Sequence, residues 1–126
     1  MSTELTSYVA NQKSAVREKL DYITITIASS GTTSTAADLT GKSLVGFYLP
    51  ATFTGTTITF TGAPSSSGTF VAFHDGAGAA YSKTVVQNTL VPLNPADTAS
   101  LQHVKLVSGS TEGAERTITL VTKAIS

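Results

Sequence analysis

Two periods of apolar residues run along this chain. Between Ser2 and Asp21, the residues Leu5, Tyr8, Val9, Ala15, Val16 and Leu20 recur at spacings of three and four, which is the stripe of an amphipathic helix. The stretch holds no Gly and no Pro. Ser2 or Thr3 suits the N-cap, with Glu4 near the positive end of the helix dipole. Gln12 interrupts the stripe, and a helix with so narrow an apolar face is marginal alone and needs a surface to lie on. From Tyr22 the period becomes two. Tyr22-Ile-Thr-Ile-Thr-Ile27 puts Ile23, Ile25 and Ile27 on one face and Thr24 and Thr26 on the other, the pattern of a half-buried strand.

Further strands follow at short intervals. Ser29 to Thr33 reads as a turn, Thr35 to Leu39 as a short strand, and Thr40-Gly41 as its end. Ser43 to Leu49 is nearly continuously apolar, so it is expected to be a central strand closed by Pro50. Thr56 to Thr61 alternates again with Ile58 and Phe60 inward. Ala63 to Gly68 is a loop of Pro, Ser and Gly. Strands are then expected at Thr69 to Phe73, Tyr81 to Val86 and Thr89 to Leu93, with an Asp75-Gly-Ala-Gly78 loop tip between the first two. Asn94-Pro-Ala-Asp97 reads as a corner or one helical turn, capped by Asn94 with Pro95 at its first position. Leu101 to Val107 and Arg116 to Ala124 complete the set. Ile118, Leu120 and Thr122 face inward in the last strand. In Leu101 to Val107, His103 and Lys105 leave the choice of face open. The expected core is Leu44, Val45, Phe47, Ile58, Phe60, Phe70, Leu106, Ile118 and Leu120. Eight or nine short strands with several long connections and no Asn-Gly hairpin signal predict an all-β, antiparallel β-sandwich of jelly-roll type. Residues 22–126 would form it, and residues 1–21 would form an N-terminal arm, helical or extended.

Composition narrows the function. There is no Cys, which excludes disulfides and thiolate metal sites. Charged residues make up 13% and the formal net charge is zero. No basic face stands out, so a nucleic-acid partner is not expected. Weak self-repulsion favours association with like copies. Ser and Thr reach roughly 30% of residues, far above average usage, and Thr suits the solvent face of a strand. Met1 to Asn11 carry no basic cluster followed by an apolar core, and no apolar run is long enough to span a bilayer. Synthesis in the cytoplasm, without a membrane partner, is the expectation.

The candidate chemistry is thin. His74 beside Asp75 invites a metal or acid–base reading, but strand neighbours point to opposite faces, and a strand-end His next to a turn Asp is the simpler account. His103 has no acidic neighbour in sequence and reads as a partly exposed strand residue. Asp38, Asp75 and Asp97 have the donors calcium takes, yet turn formation explains each. Ser65-Ser-Ser67 has no nucleophile elbow, and Gly76-Ala-Gly78 is too short for a phosphate loop. No catalytic residue, cofactor or metal site is therefore expected, and the chain does not read as an enzyme. Tyr48, Tyr81, Phe47 and Phe53 raise a sugar-binding reading, weakened by the absence of Trp; core filling accounts for most of these rings. The N-terminal stripe has three readings: a helix packed on its own domain, an arm gripping a neighbouring subunit, or a disordered tail. The arm is favoured because the β-domain looks self-contained, and Leu5, Tyr8, Val9, Val16 and Leu20 are then the partner-binding residues.

Three segments hold a familiar order. They are Leu39-Thr-Gly-Lys-Ser-Leu-Val-Gly-Phe-Tyr-Leu-Pro50, then Leu93-Asn-Pro-Ala-Asp97 leading into Leu101-Gln-His-Val-Lys-Leu-Val-Ser-Gly109, and Arg116-Thr-Ile-Thr-Leu-Val-Thr-Lys123. Together they resemble a family of small β-sandwich proteins among the virion genes of tailed phages, over about residues 22–125. The resemblance implies a structural role in the virion. The most direct form is a capsid decoration, or cement, protein on the outer head shell, bound to the major capsid protein or other virion proteins. Such a protein is expected to be a homo-oligomer, with a trimer suiting the local symmetry of a shell. The alternative is a carbohydrate- or host-surface-binding module of a head or tail appendage. Met1 to Asp21 lie outside the resemblance.

Overall fold

The computed structural model describes residues 20–124, and these form an all-β sandwich of two antiparallel sheets. Nine strands occur: β1 (Leu20–Ile27), β2 (Ala37–Asp38), β3 (Lys42–Tyr48), β4 (Thr57–Ala63), β5 (Val71–Ala72), β6 (Ser82–Thr84), β7 (Leu90–Pro92), β8 (His103–Ser108) and β9 (Arg116–Ala124). One sheet has the order β1-β9-β3-β7. The other runs β2-β8-β4-β5, with β6 also paired to β4. Successive strands therefore change sheet at six of the eight connections, β4, β5 and β6 staying together. The alternating runs explain why: each strand has one apolar face, and two such faces bury each other only if the sheets stack.

The core sits between the sheets. Ile25, Ile27, Leu44, Phe47, Ile118 and Leu120 come from the first sheet, and Ile58, Phe60, Val104 and Leu106 from the second; all are buried. A chain of rings crosses it. Phe47 and Phe60 meet edge-on with centroids 6.1 Å apart, Phe60 lies 5.3 Å from Tyr81, and Tyr81 lies 5.1 Å from Phe73. Such tilted pairs are the arrangement that aromatic quadrupoles prefer. The two longest strands, β1 and β9, pair in unbroken register from Leu20↔Lys123 to Ile27↔Arg116. Thr122, on the inner side of β9, is buried, and its hydroxyl donates to the Asp21 carbonyl at 3.0 Å.

Several expectations shift in detail. β1 begins at Leu20, two residues before the change of period, because Leu20 and Asp21 find partners in Lys123 and Thr122. Val45 is only half-buried: the β3–β9 register shifts between Leu44 and Gly46, so Val45 is the extra residue of a bulge. At Asn94–Asp97 the expected helical turn is present as α1 (Pro95–Thr98), with the Asn94 side chain capping it by accepting from the Ala96 amide at 3.0 Å. It closes over the bulge: the Thr98 hydroxyl, buried, donates to the Leu44 carbonyl at 2.8 Å, and the Leu93 amide donates to Val45 at 2.9 Å. Phe70 is half-exposed and lies outside the named strands, because the strand expected over Thr69–Phe73 shortens to Val71–Ala72 at a sheet edge. Lys105 Nζ stands 4.4 Å over the Phe70 ring instead. In β8, Val104 and Leu106 face inward and are fully buried. His103 on the other face is also buried, at 9% exposed, since β8 lies between β2 and β4 and its neighbours cover it.

Candidate functional site

Three places gather side chains that sequence alone left apart: a loop hub, a cleft, and the outer face of the β1-β9-β3-β7 sheet.

The hub is built on Glu112, in the β8–β9 connection, whose side chain is fully buried. Its Oε1 accepts from the Thr54 amide and from Arg116 Nε, both at 2.9 Å. Its Oε2 accepts from the Gly55 amide at 3.0 Å and the Ser108 hydroxyl at 2.9 Å. The Glu112 backbone is held as well, bonded to Ser30 and Gly31 of the β1–β2 connection. Arg116 then reaches Thr52 Oγ1 and Thr54 Oγ1. The carboxylate thus ties the β3–β4 connection to the end of β8 and the start of β9, while the Glu112 backbone adds the β1–β2 connection. Burial alone would raise its pKa. The donors from Thr54, Arg116, Ser108 and Gly55 outweigh that and hold it below the ordinary value of 4.5. An ionised, fully donated-to carboxylate is an anchor, poorly suited to exchanging protons near neutral pH. Gly55 is required by this packing, because a Cβ there would collide with Ser108 Oγ.

The cleft lies between β6, α1 and the Asp75–Gly78 tip. Its lining includes His74, Asp75, Tyr81, Lys83 and Asp97. The acidic groups are already engaged. Asp75 Oδ1 accepts from the Ala77 and Ala79 amides at 2.9 and 3.0 Å, and Asp97 Oδ2 accepts from the Tyr81 hydroxyl at 3.3 Å. Burial, with Asp97 beside it, pushes the Tyr81 phenol up. His74 Nδ1 is 3.0 Å from the Gly78 carbonyl. Asp75 thus organises the tip, as a turn Asp would. Asp38 does the same elsewhere, accepting from the Thr40 amide and hydroxyl. Among the described residues no three His, Asp or Glu side chains converge as a metal site would need.

The outer sheet face carries the apolar surface. Residues that alternate away from the core align across the strands through the register Tyr22↔Val121, Val121↔Gly46 and Gly46↔Pro92, and two residues further along through Thr24↔Thr119, Thr119↔Tyr48 and Tyr48↔Leu90. Tyr22, Tyr48 and Leu90 are 54%, 44% and 51% exposed. Val121 lies between them at only 7%, sheltered by its neighbours although it points away from the core. A Cβ at Gly46 would strike the Val91 carbonyl, so this position stays bare and the face dips there.

Of the residues expected to bind a partner, Leu5, Tyr8, Val9 and Val16 lie outside the described residues. Leu20 opens β1 and is exposed at 42%. The aromatics divide: Phe47, Phe53, Phe60 and Tyr81 are buried, whereas Tyr48, one of the four rings that raise the sugar-binding reading, is on the outer face. Sequence reasoning missed both Glu112 and the outer face. Nothing local marks Glu112 except its spacing to Ser108 and Arg116, and the two amides it accepts from, Thr54 and Gly55, are more than fifty residues away. The face was legible only in Tyr22 and Val121, whose register across β9 needed the fold. Compared with models of protein families and with curated proteins, the chain matches none.

Proposed function

We propose that this chain is a structural subunit of a tailed-phage virion, a decoration protein that binds the outer head shell and strengthens contacts between capsid subunits. The observation that carries this reading is the outer face of the β1-β9-β3-β7 sheet. On a chain with zero net charge, Tyr22, Tyr48, Pro92 and Leu90 are exposed apolar side chains gathered on this one face, which is what protein–protein contact uses. The ordered segments Leu39–Pro50, Leu93–Gly109 and Arg116–Lys123, similar to those of small virion proteins, support it. So does the change of sheet at successive strands, which we read as jelly-roll winding. The loops around Glu112 are cross-linked by its hydrogen bonds, which suits a sandwich that presents one shape to a repeated lattice, where many weak contacts add as avidity. The major capsid protein is the partner this reading names, and the capsid surface its location.

The test uses particles lacking the protein. Purified full-length chain should co-sediment with them and raise the temperature at which they burst. Addition of a chelator should change neither result. Particles whose burst temperature is insensitive to the protein would refute the cement role.

One observation favours a second reading, the sugar-binding module. Tyr22 and Tyr48 are both exposed on one face, near the hydroxyls of Thr24 and Thr119, and flat rings beside hydroxyls suit saccharides. Unchanged burst temperature with lost adsorption to host cells, restored by added protein, would select this reading over the first.

A further inference from the structure

We infer that the cleft between β6, α1 and the Asp75–Gly78 tip, with a second hollow beside it, binds one neutral saccharide that carries an apolar substituent. The site uses no residue of the outer sheet face and goes beyond both readings of that face.

The cleft has a volume of about 640 Å³. The hollow, of about 530 Å³, adjoins it along Phe73 and Ser100, which line both. Each has the size of a small-molecule site. Their linings differ in kind. The cleft is polar. Asp97 Oδ2 is taken by the Tyr81 hydroxyl at 3.3 Å, and Asp97 Oδ1 has no hydrogen bond among the described residues. Asp75 uses Oδ1 to hold the Ala77 and Ala79 amides and leaves Oδ2 open in the same way. His74 Nδ1 lies 3.0 Å from the Gly78 carbonyl, which can only accept, so Nδ1 carries the proton and Nε2 is left to accept from a ligand. Donors stand among these acceptors. Lys83 Nζ is 5.2 Å from the centroid of the Tyr81 ring, and the Ser82 and Ser100 hydroxyls line the same space.

The balance of these groups selects the class of ligand. An anion would meet the carboxylates of Asp75 and Asp97. A metal ion needs several converging ligands, and no three His, Asp or Glu side chains come together among the described residues. A cation would share the space with Lys83. A peptide strand finds too short an edge to join, since β5 has only two residues. A sugar hydroxyl both donates and accepts, so a ring of hydroxyls matches a mixed lining and brings no charge. The hollow asks for the opposite chemistry. Its walls are Ala63, Pro64, Val71 and Leu101 beside Phe73. Val71 is 62% exposed and Phe73 half-buried, so an alkyl group placed there takes apolar surface out of water. A glycoside with its sugar in the cleft and its alkyl group in the hollow satisfies both linings at once.

Amide NMR of the labelled full-length chain tests this, with the methyl and hexyl β-glycosides of glucose and galactose as probes. At least one hexyl glycoside should shift the amides of Asp75–Ser82 and Ser100–Gln102 in a saturable way. Its methyl counterpart should bind more weakly by about ten-fold or more, for want of the buried alkyl group. Asp97→Asn and Lys83→Met replace exposed and half-buried side chains, so their thermal melts should stay unchanged while each weakens binding by about ten-fold. Binding by neither hexyl glycoside, equal affinity for the methyl and hexyl forms, or affinity that both substitutions leave intact would each overturn the inference. So would equal or tighter binding of the hexyl glucuronide, an anion. Shifts centred on Thr24, Tyr48 and Thr119 would overturn it too, and would place saccharide binding on the outer face instead.

Discussion

Arg116 Nε donates to Glu112 Oε1 across 2.9 Å, four residues apart in sequence but in no helix, and the carboxylate it meets has no exposed surface. A buried charge survives only if its partners are well placed, and removing one partner costs far more than the pair contributes in net. This pair is completed by two amides and a hydroxyl, so the connections it ties behave as one unit.

Glu112 should therefore give the fold an acid limit. Its folded pKa is held below the ordinary 4.5, so on the acid side the unfolded chain binds more protons and stability rises with pH. The contribution is complete above about pH 4.5 and is lost as pH falls through the folded value. Glu112→Gln should lower stability at pH 7 by about 3–5 kcal/mol. It should also flatten the fall in stability between neutral and acid pH, measured by denaturant melts at a series of pH values. An unchanged slope would show that Glu112 does not set the acid limit.

Gly55→Ala tests the same hub by size rather than charge. The added methyl meets Ser108 Oγ and leaves Gly55 little room to donate to Glu112. Overpacking of this kind costs about 1–3 kcal/mol. In a Ser108→Gly background, which already lacks the colliding hydroxyl and its bond to Glu112, Gly55→Ala should cost less than it does alone, and that difference locates the strain.

Thr98→Val removes one hydroxyl with little change of shape. It leaves the Leu44 carbonyl, at the bulge, without the donor it has at 2.8 Å. The expected loss is about 1–3 kcal/mol, read from the midpoint of a urea melt at constant m-value. A shift of nothing would mean that α1 rests on the bulge without holding it.

Phe60→Ala and Phe70→Ala should part company. Phe60 is buried between Phe47 and Tyr81, and its truncation should cost about 3–5 kcal/mol. Phe70 is half-exposed under Lys105, and its truncation should cost about 1 kcal/mol or less, the range of an exposed cation–π contact. Equal losses would place Phe70 in the core after all.

These contrasts also mark what the sequence made legible. The period-two runs located β1, β4 and β9 to within about two residues, because strands of seven to nine residues with one inward face leave a strong signal. The short pieces were another matter. β5 and β6 have two and three residues, and their limits are set by which edge of β4 is free, not by their own side chains. The bulge at Val45 was hidden for a similar reason: a continuous apolar run has no alternation to break. The ambiguity of β8 came from His103, a polar residue covered only because strands lie on both sides of it. The hub could not be read at all, since burying Glu112 depends on loops brought together from across the chain. The outer face was half legible, as Tyr22 announces exposure on β1, but Tyr48 sits in an apolar run that reads as interior.

The position of β9 has a consequence for how this molecule comes into being. The last strand of the sandwich in chain order is inserted between the first and the third, bonded to both along most of its length. Until it arrives, β1 has no neighbour in its sheet, and the inner rows of Ile25 and Ile27 have nothing beside them. Folding must therefore wait on contacts between the far ends of the domain, which makes it slow for its size. A chain interrupted before Arg116 would lose the strand that holds the first sheet together, and with it the charge partner of Glu112. The sandwich closes from its last strand, so β9 must be in place before any copy can offer the surface of this sheet to another.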